Sequence, residues 1–127
     1  MGEEENRDAV VRYFAAVNGR DFQTMDQVRH DDDFVQEWPQ MRARSRGKDR
    51  TRAMDESDPA PLKSLVRRIA GAGDAWIAET GLAHPDGRMW EAVTLFEFRD
   101  GKVVRQTEYL APPIDAPPWR AQWLERM

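Results

Sequence analysis

The sequence predicts an α+β domain, with helices gathered at the N-terminal end and an antiparallel sheet following them. Three observations carry that reading. Arg88 to Leu110, RMWEAVTLFEFRDGKVVRQTEYL, places two runs of β-branched and aromatic residues around Asp100-Gly101, a strong hairpin signal. Val10, Tyr13, Phe14 and Val17 recur at helical spacing near the start. From Leu62 onward, strand-like runs follow one another with only turn residues between them.

In chain order, Arg7–Asn18 is an amphipathic helix, with Glu3, Glu4 and Glu5 near its positive end and Asn18-Gly19 as its stop. Asp21 reads as the N-cap of a short second helix whose inner side is Phe22, Met25 and Val28. Phe34–Trp38 is strand-like and closed by Pro39; Met41–Arg46 is a second strand, placed at an edge by its arginines. Gly47 turns into a third helix over Asp49–Ser57, with Ala53 and Met54 as its buried positions. After the linker Asp58-Pro59-Ala60-Pro61 come strands over Leu62–Ala70 and Ala75–Ala83, then the hairpin. Ala111–Pro118, APPIDAPP, cannot pair as a strand. Pro118 suits the first position of a short closing helix carrying Trp119, Trp123 and Leu124, with the two indoles packed as a lid on the sheet or on a partner chain.

A chain of 127 residues is one domain on size grounds, residues 1–127, and can bury a core unaided. It has no cysteine, which excludes disulfides, thiolate metal sites and a cysteine nucleophile. The N-terminus is acidic and no run is apolar enough to span a bilayer, so a cytoplasmic location and no membrane partner are expected. A net charge of −4 argues against nucleic acid. The run Arg42, Arg44, Arg46, Lys48, Arg50, Arg52 reads as a solvated edge. His30 and His84 are far apart, so no metal is expected, and His84 reads as an exposed turn residue.

Within the hairpin, alternation puts Trp90, Ala92, Thr94, Phe96 and Phe98 on one face of the first strand. Val104, Gln106, Glu108 and Leu110 share a face of the second, against Val103, Arg105, Thr107 and Tyr109. Neither face is plainly for solvent, which predicts a sheet covered on both sides and a homodimer.

The ordered set Glu37-Trp38-Pro39, Arg46-Gly47, Phe98-Arg99-Asp100-Gly101-Lys102-Val103-Val104 and Glu108-Tyr109 resembles the SnoaL-like, polyketide-cyclase-like branch of the nuclear transport factor 2-like superfamily. The resemblance covers nearly the whole chain. It implies a cone: a curved, mixed but mostly antiparallel sheet wrapped around three N-terminal helices, with an internal pocket and a short C-terminal helix. It also implies homodimers through the outer sheet face.

Carried over residue by residue, the tyrosine that ketosteroid isomerases use in their oxyanion hole falls on Tyr13. Their general base falls on Trp38, which cannot take a proton, and their second oxyanion donor falls on Thr94. The acid/base of SnoaL-type cyclases falls on Glu108, and their supporting histidine on Thr94. The Asp-Arg-Asp arrangement of limonene-epoxide-hydrolase-like relatives is not placed in this sequence.

The expected site is therefore Glu108 as acid/base with Tyr13 and Thr94 as polar helpers. Trp38, Glu79, Trp90, Phe96, Phe98, Gln106 and Leu110 are expected to line the pocket. A glutamate in apolar surroundings has its pKa raised and can abstract a proton α to a carbonyl, so no cofactor is required. The ligand expected is a small apolar or carbonyl-bearing molecule. Two plainer roles compete. Glu108 can be a structural group paired with Arg68 or Arg105, and Tyr13 a core residue with a backbone partner for its hydroxyl. The function is then that of a cofactor-free cyclase or isomerase, or of a non-catalytic binding or dimerisation module.

Overall fold

The structure, a computed structural model, describes residues 2–127. Helix α1 (Glu3–Gly19) starts a turn before the apolar spacing does, because Glu3, Glu4 and Glu5 occupy its first turn, where the helix dipole favours carboxylates. Its left-handed cap falls on Arg20, at φ 53°, rather than on Gly19. Helix α2 (Phe22–Val28) is capped as predicted, with Asp21 accepting the Thr24 backbone N–H at 3.1 Å.

Strand β1 (Val35–Trp38) ends where Pro39 opens a 3-10 turn, Pro39–Met41. Strand β2 (Ala43–Arg46) returns antiparallel to it and forms one edge of the sheet. Helix α3 (Lys48–Glu56) corrects an expectation. Ala53 and Met54 are exposed, and Thr51 is the enclosed residue. The inner face of α3 is polar and satisfied. Thr51 Oγ1 donates to the Gly47 carbonyl (2.9 Å) and lies 2.7 Å from Ser45 Oγ, while Asp55 accepts from Arg29 at 2.7 Å. Apolar periodicity cannot find a face built that way.

Strands β3 (Lys63–Ala72), β4 (Ala75–Ala83), β5 (Met89–Arg99) and β6 (Lys102–Ala111) form the meander, and the sheet order is β2-β1-β6-β5-β4-β3. β1 runs parallel to β6; the other neighbours are antiparallel. Asp100 and Gly101 turn the hairpin with φ of 54° and 78°, the double positive φ of the tight turn their sequence predicts. Bulges help curve this open sheet, at Arg67 in β3 and at Val104 in β6. The second breaks the predicted alternation. Val103 joins the core at 1% exposure, and the inner row resumes at Gln106, Glu108 and Leu110.

The concave face packs on α1 and α2 through Val10, Phe14, Met25, Val28, Ala78, Phe96, Phe98 and Val103. Tyr13, Phe14 and Phe96 meet edge to face, with centroids 5.2 to 5.9 Å apart. The convex face is less apolar than expected. Leu65, Leu95 and Tyr109 are exposed between the ion pairs Arg67–Glu91, Arg68–Glu79 and Arg105–Glu37.

Every residue from Pro112 to Met127 is exposed. The closing helix is a 3-10 segment, Pro118–Trp123, and its indoles do not pack on this chain's sheet: Trp119 and Trp123 are 68% and 76% exposed. The proline run cannot pair with β6 and carries them away from it. Among the described residues, no helix is long and apolar enough to cross a membrane.

Candidate functional site

Glu108 stands on the inner row of β6, opposite Thr94 on β5 and two residues from Gln106. It is half-buried and beside a cavity of about 210 Å³ lined by Trp38, Gln40, Met41, Trp90, Glu108, Leu110 and Pro112. The parallel pairing of β1 with β6 brings the end of β1 alongside, and the Trp38 indole N–H donates to Glu108 Oε1 at 2.8 Å. No arginine or lysine pairs with it. The two cations that could have made it structural are taken elsewhere, Arg68 by Glu79 at 3.0 Å and Arg105 by Glu37 at 2.9 Å. Removal from water pushes the Glu108 pKa up, the Trp38 hydrogen bond works against this, and the charge of Asp55 adds to the rise.

Tyr13 lies deeper. Its hydroxyl accepts from the Gln106 side-chain amide at 2.9 Å rather than finding a backbone partner. Burial is the main reason its pKa is pushed up to about 12, with Arg29 opposing and Glu108 and Asp55 adding to the shift. The phenol therefore keeps its proton at neutral pH. Thr94 is 1% exposed, and its hydroxyl has no hydrogen-bond partner.

The structure thus brings together Glu108, Trp38, Trp90 and Leu110 at the cavity wall, with Thr94, Gln106 and Tyr13 beneath them. Gln106 lies under the cavity wall rather than in it, and three further expected lining residues lie elsewhere. Glu79 is on the convex face, in register with Val93 and paired with Arg68, because the unbroken pairing of β4 with β5 turns its neighbours Ala78 and Thr80 inward beside Thr94 and Ala92. Phe96 and Phe98 are core residues at 1% and 5% exposure, filling the closed part of the curved sheet. The cone is therefore filled at depth and open at the mouth.

Sequence reasoning missed Gln40, Met41 and Pro112. They come from the turn after β1 and the residue after β6, both at the end of the sheet where Trp38 sits. Pro39 was the available signal, since it forces the turn there. It also misplaced His84. Rather than an exposed turn residue, His84 is half-buried and stacks on Trp90 with centroids 4.7 Å apart. The Trp90 Nε1–H, on a residue of the cavity wall, has no acceptor in the protein.

An Asp-Arg-Asp group does exist, formed by Asp26, Arg29 and Asp55. Arg29 is 1% exposed and ties α2 to α3, and none of the three lines the cavity. Among the described residues no cluster of three or more His, Asp or Glu side chains is arranged to hold a metal.

A curved open sheet over N-terminal helices defines an α+β domain of the nuclear transport factor 2-like fold. The model of the SnoaL-like domain matches residues 10–106, and the chain belongs to that family. A solved NTF2-like protein of unknown function from Burkholderia xenovorans is 34% identical over 100% of this chain and 98% of its own, with a TM-score of 0.87. A ketosteroid isomerase candidate from Kribbella flavida is 25% identical over 98% of this chain and 90% of its own, TM-score 0.90. An LEH-like epoxide hydrolase from M. tuberculosis is 25% identical over 84% and 83%, TM-score 0.73. No curated protein matches the chain.

Proposed function

We propose that this protein is a cofactor-free enzyme that moves a proton on a small carbonyl compound, in the manner of an isomerase or cyclase, with Glu108 as acid/base. One observation carries the reading: Glu108 has no cationic partner among the described residues, is held by an indole N–H at 2.8 Å, and borders an apolar cavity. A structural carboxylate in such a place is expected to be ion-paired. A carboxylate raised by desolvation and aimed by one hydrogen bond suits abstraction of a proton α to a carbonyl.

The charge that develops on the carbonyl oxygen needs a donor, and the unpartnered indole N–H of Trp90 supplies one. Tyr13 sits one step back, positioning Gln106 and the floor of the site. The cavity, about 210 Å³, is below the usual ~300 Å³ lower bound for drug-sized ligands, so the substrate is about one ring in size. No metal or cofactor is required by this step, and the homodimer remains part of the proposal.

The test uses a β,γ-unsaturated cyclic ketone of one ring in deuterated water. Proton NMR is expected to show enzyme-dependent migration of the double bond into conjugation, with solvent deuterium incorporated, and Glu108→Gln is expected to abolish it. Binding of such ketones without conversion, unchanged by Glu108→Gln, would instead support a non-catalytic binding module.

A further inference from the structure

The C-terminal segment Pro112–Met127 poses a problem of placement. It is exposed along its whole length, and Ile114, Trp119, Trp123 and Leu124 are exposed at 88%, 68%, 76% and 54%. Among the described residues, its backbone hydrogen bonds beyond those of the strands are internal turns, Arg120 to Pro117 and Leu124 to Ala121. Yet this arm is not an arbitrary excursion. The matches to the Burkholderia and Kribbella proteins extend over 100% and 98% of this chain, so those solved chains also carry residues in line with the arm. Large apolar side chains left exposed together mark a surface that another chain covers.

A seat for it exists on the same molecule. At the β3–β4 end of the sheet, Ala70, Gly71, Ala75, Ile77 and Leu95 line an apolar groove of about 600 Å³, with Glu97 in its lining. We infer that Pro112–Met127 is an exchanged arm: in a homodimer, the Trp119 and Trp123 indoles of each chain dock into this groove on the other. The inference rests on the homodimer reading above and specifies what holds the dimer.

Four considerations select a second copy as the occupant. Arm and groove are each unpartnered within the chain, and exchanging them satisfies both in one closed two-fold arrangement. A two-fold axis lying across the strands carries the arm-bearing end of one sheet over the groove end of its partner. Charge agrees, because Arg120, stacked 5.0 Å from Trp119, would be carried with it into a groove that has Glu97 in its lining. Area agrees as well. Two indoles bury roughly 150–250 Å² each, close to half of the ~800 Å² per partner that a stable interface uses. Each partner both gives and receives an arm. Pro112 belongs to the Glu108 cavity wall, so docking the arm on a neighbour also fixes one side of the pocket mouth.

Sedimentation velocity on the full chain tests this. Wild type is expected to be a dimer at micromolar concentration. Trp119→Ala/Trp123→Ala is expected to raise the dissociation constant at least ~100-fold, since buried aromatic anchors are the usual hot spots. Leu95→Arg in the groove should do the same, and circular dichroism confirms that the variants fold. Because the chain has no cysteine, a Gln122→Cys chain mixed with an Ala75→Cys chain should give a mixed disulfide dimer. A dimer indifferent to the tryptophan pair overturns the arm and leaves the homodimer standing. A wild-type monomer overturns both. A Gln122→Cys/Ala75→Cys chain that closes on itself places the arm on its own sheet and overturns the exchange.

Discussion

Trp38 and Glu108 lie seventy positions apart and meet through a 2.8 Å hydrogen bond between indole N–H and carboxylate. The contact depends on parallel pairing of β1 with β6, which sets Gln36 beside Gln106 and so carries the next inner residue, Trp38, to Glu108. At the position where the resemblance puts the base of ketosteroid isomerases, this chain carries the donor that holds the Glu108 carboxylate.

Glu108→Gln separates function from stability. The folded chain keeps the Glu108 proton to higher pH than the unfolded chain does, because burial disfavours the charge. Stability therefore falls as pH rises from the ordinary glutamate range, about 4.3, through the raised folded value, and the penalty is complete above it. The glutamine can still accept from Trp38 and has no charge to desolvate. Its melting temperature should exceed that of wild type near neutral pH, and the difference should vanish in acid below the ordinary glutamate range. A variant less stable than wild type at neutral pH contradicts this.

Trp38→Phe removes the one hydrogen bond that favours the ionised carboxylate, so the Glu108 pKa should rise further. For a glutamate acting as base, the rise of kcat/KM with pH should move to higher pH. The pH profile of ketone isomerisation reads this directly, and an unmoved profile assigns the acidic limb to another group.

Arg29 is the buried cation of the helical layer, bonded to Asp55 at 2.7 Å and to Asp26 at 3.5 Å, with its guanidinium over Phe34 at 5.1 Å. Arg29→Ala leaves Asp55 without its partner, while Asp26 keeps Arg52 at 2.9 Å, and should cost about 3–5 kcal/mol, measured by urea unfolding. Adding Asp55→Asn should recover part of that loss, because Asp55 is already the group whose charge burial disfavours. Strict additivity of the two substitutions rules out the coupling.

Tyr13→Phe leaves the Gln106 amide N–H enclosed without its acceptor and should cost about 1–3 kcal/mol. Since the hydroxyl is not at the cavity wall, kcat should fall much less than in Glu108→Gln. An equal loss places the phenol at the reacting oxygen.

Much of this was legible from the residues. Asp100-Gly101 announced the hairpin and Asp21 the cap of α2, since both are set by local chemistry, while Glu108 was singled out by the resemblance. What escaped depended on partners distant in sequence. Helix α3 presents Thr51 and Asp55 inward because Ser45 and Arg29 await them, and no periodicity shows that. Glu79 faces outward because the register of β4 on β5 turns Ala78 and Thr80 inward, and that register depends on a turn whose length the residues alone do not fix. His84 lies in a turn by sequence, and only folding lays it against Trp90.

The bulge at Val104 has a last consequence, for how such proteins diverge. Counted from the tight turn at Asp100-Gly101, strict alternation from Val103 would send Glu108 outward; the extra residue restores it to the interior. Deleting Val104 would remove the bulge and keep Val103 opposite Phe98 and Arg105 opposite Glu97, so Gln106, Glu108 and Leu110 would still face inward. A straightened strand of unchanged length would instead turn that row outward. A relative that aligns without a gap at Glu108 but lacks this irregularity shares the letter and not the acid.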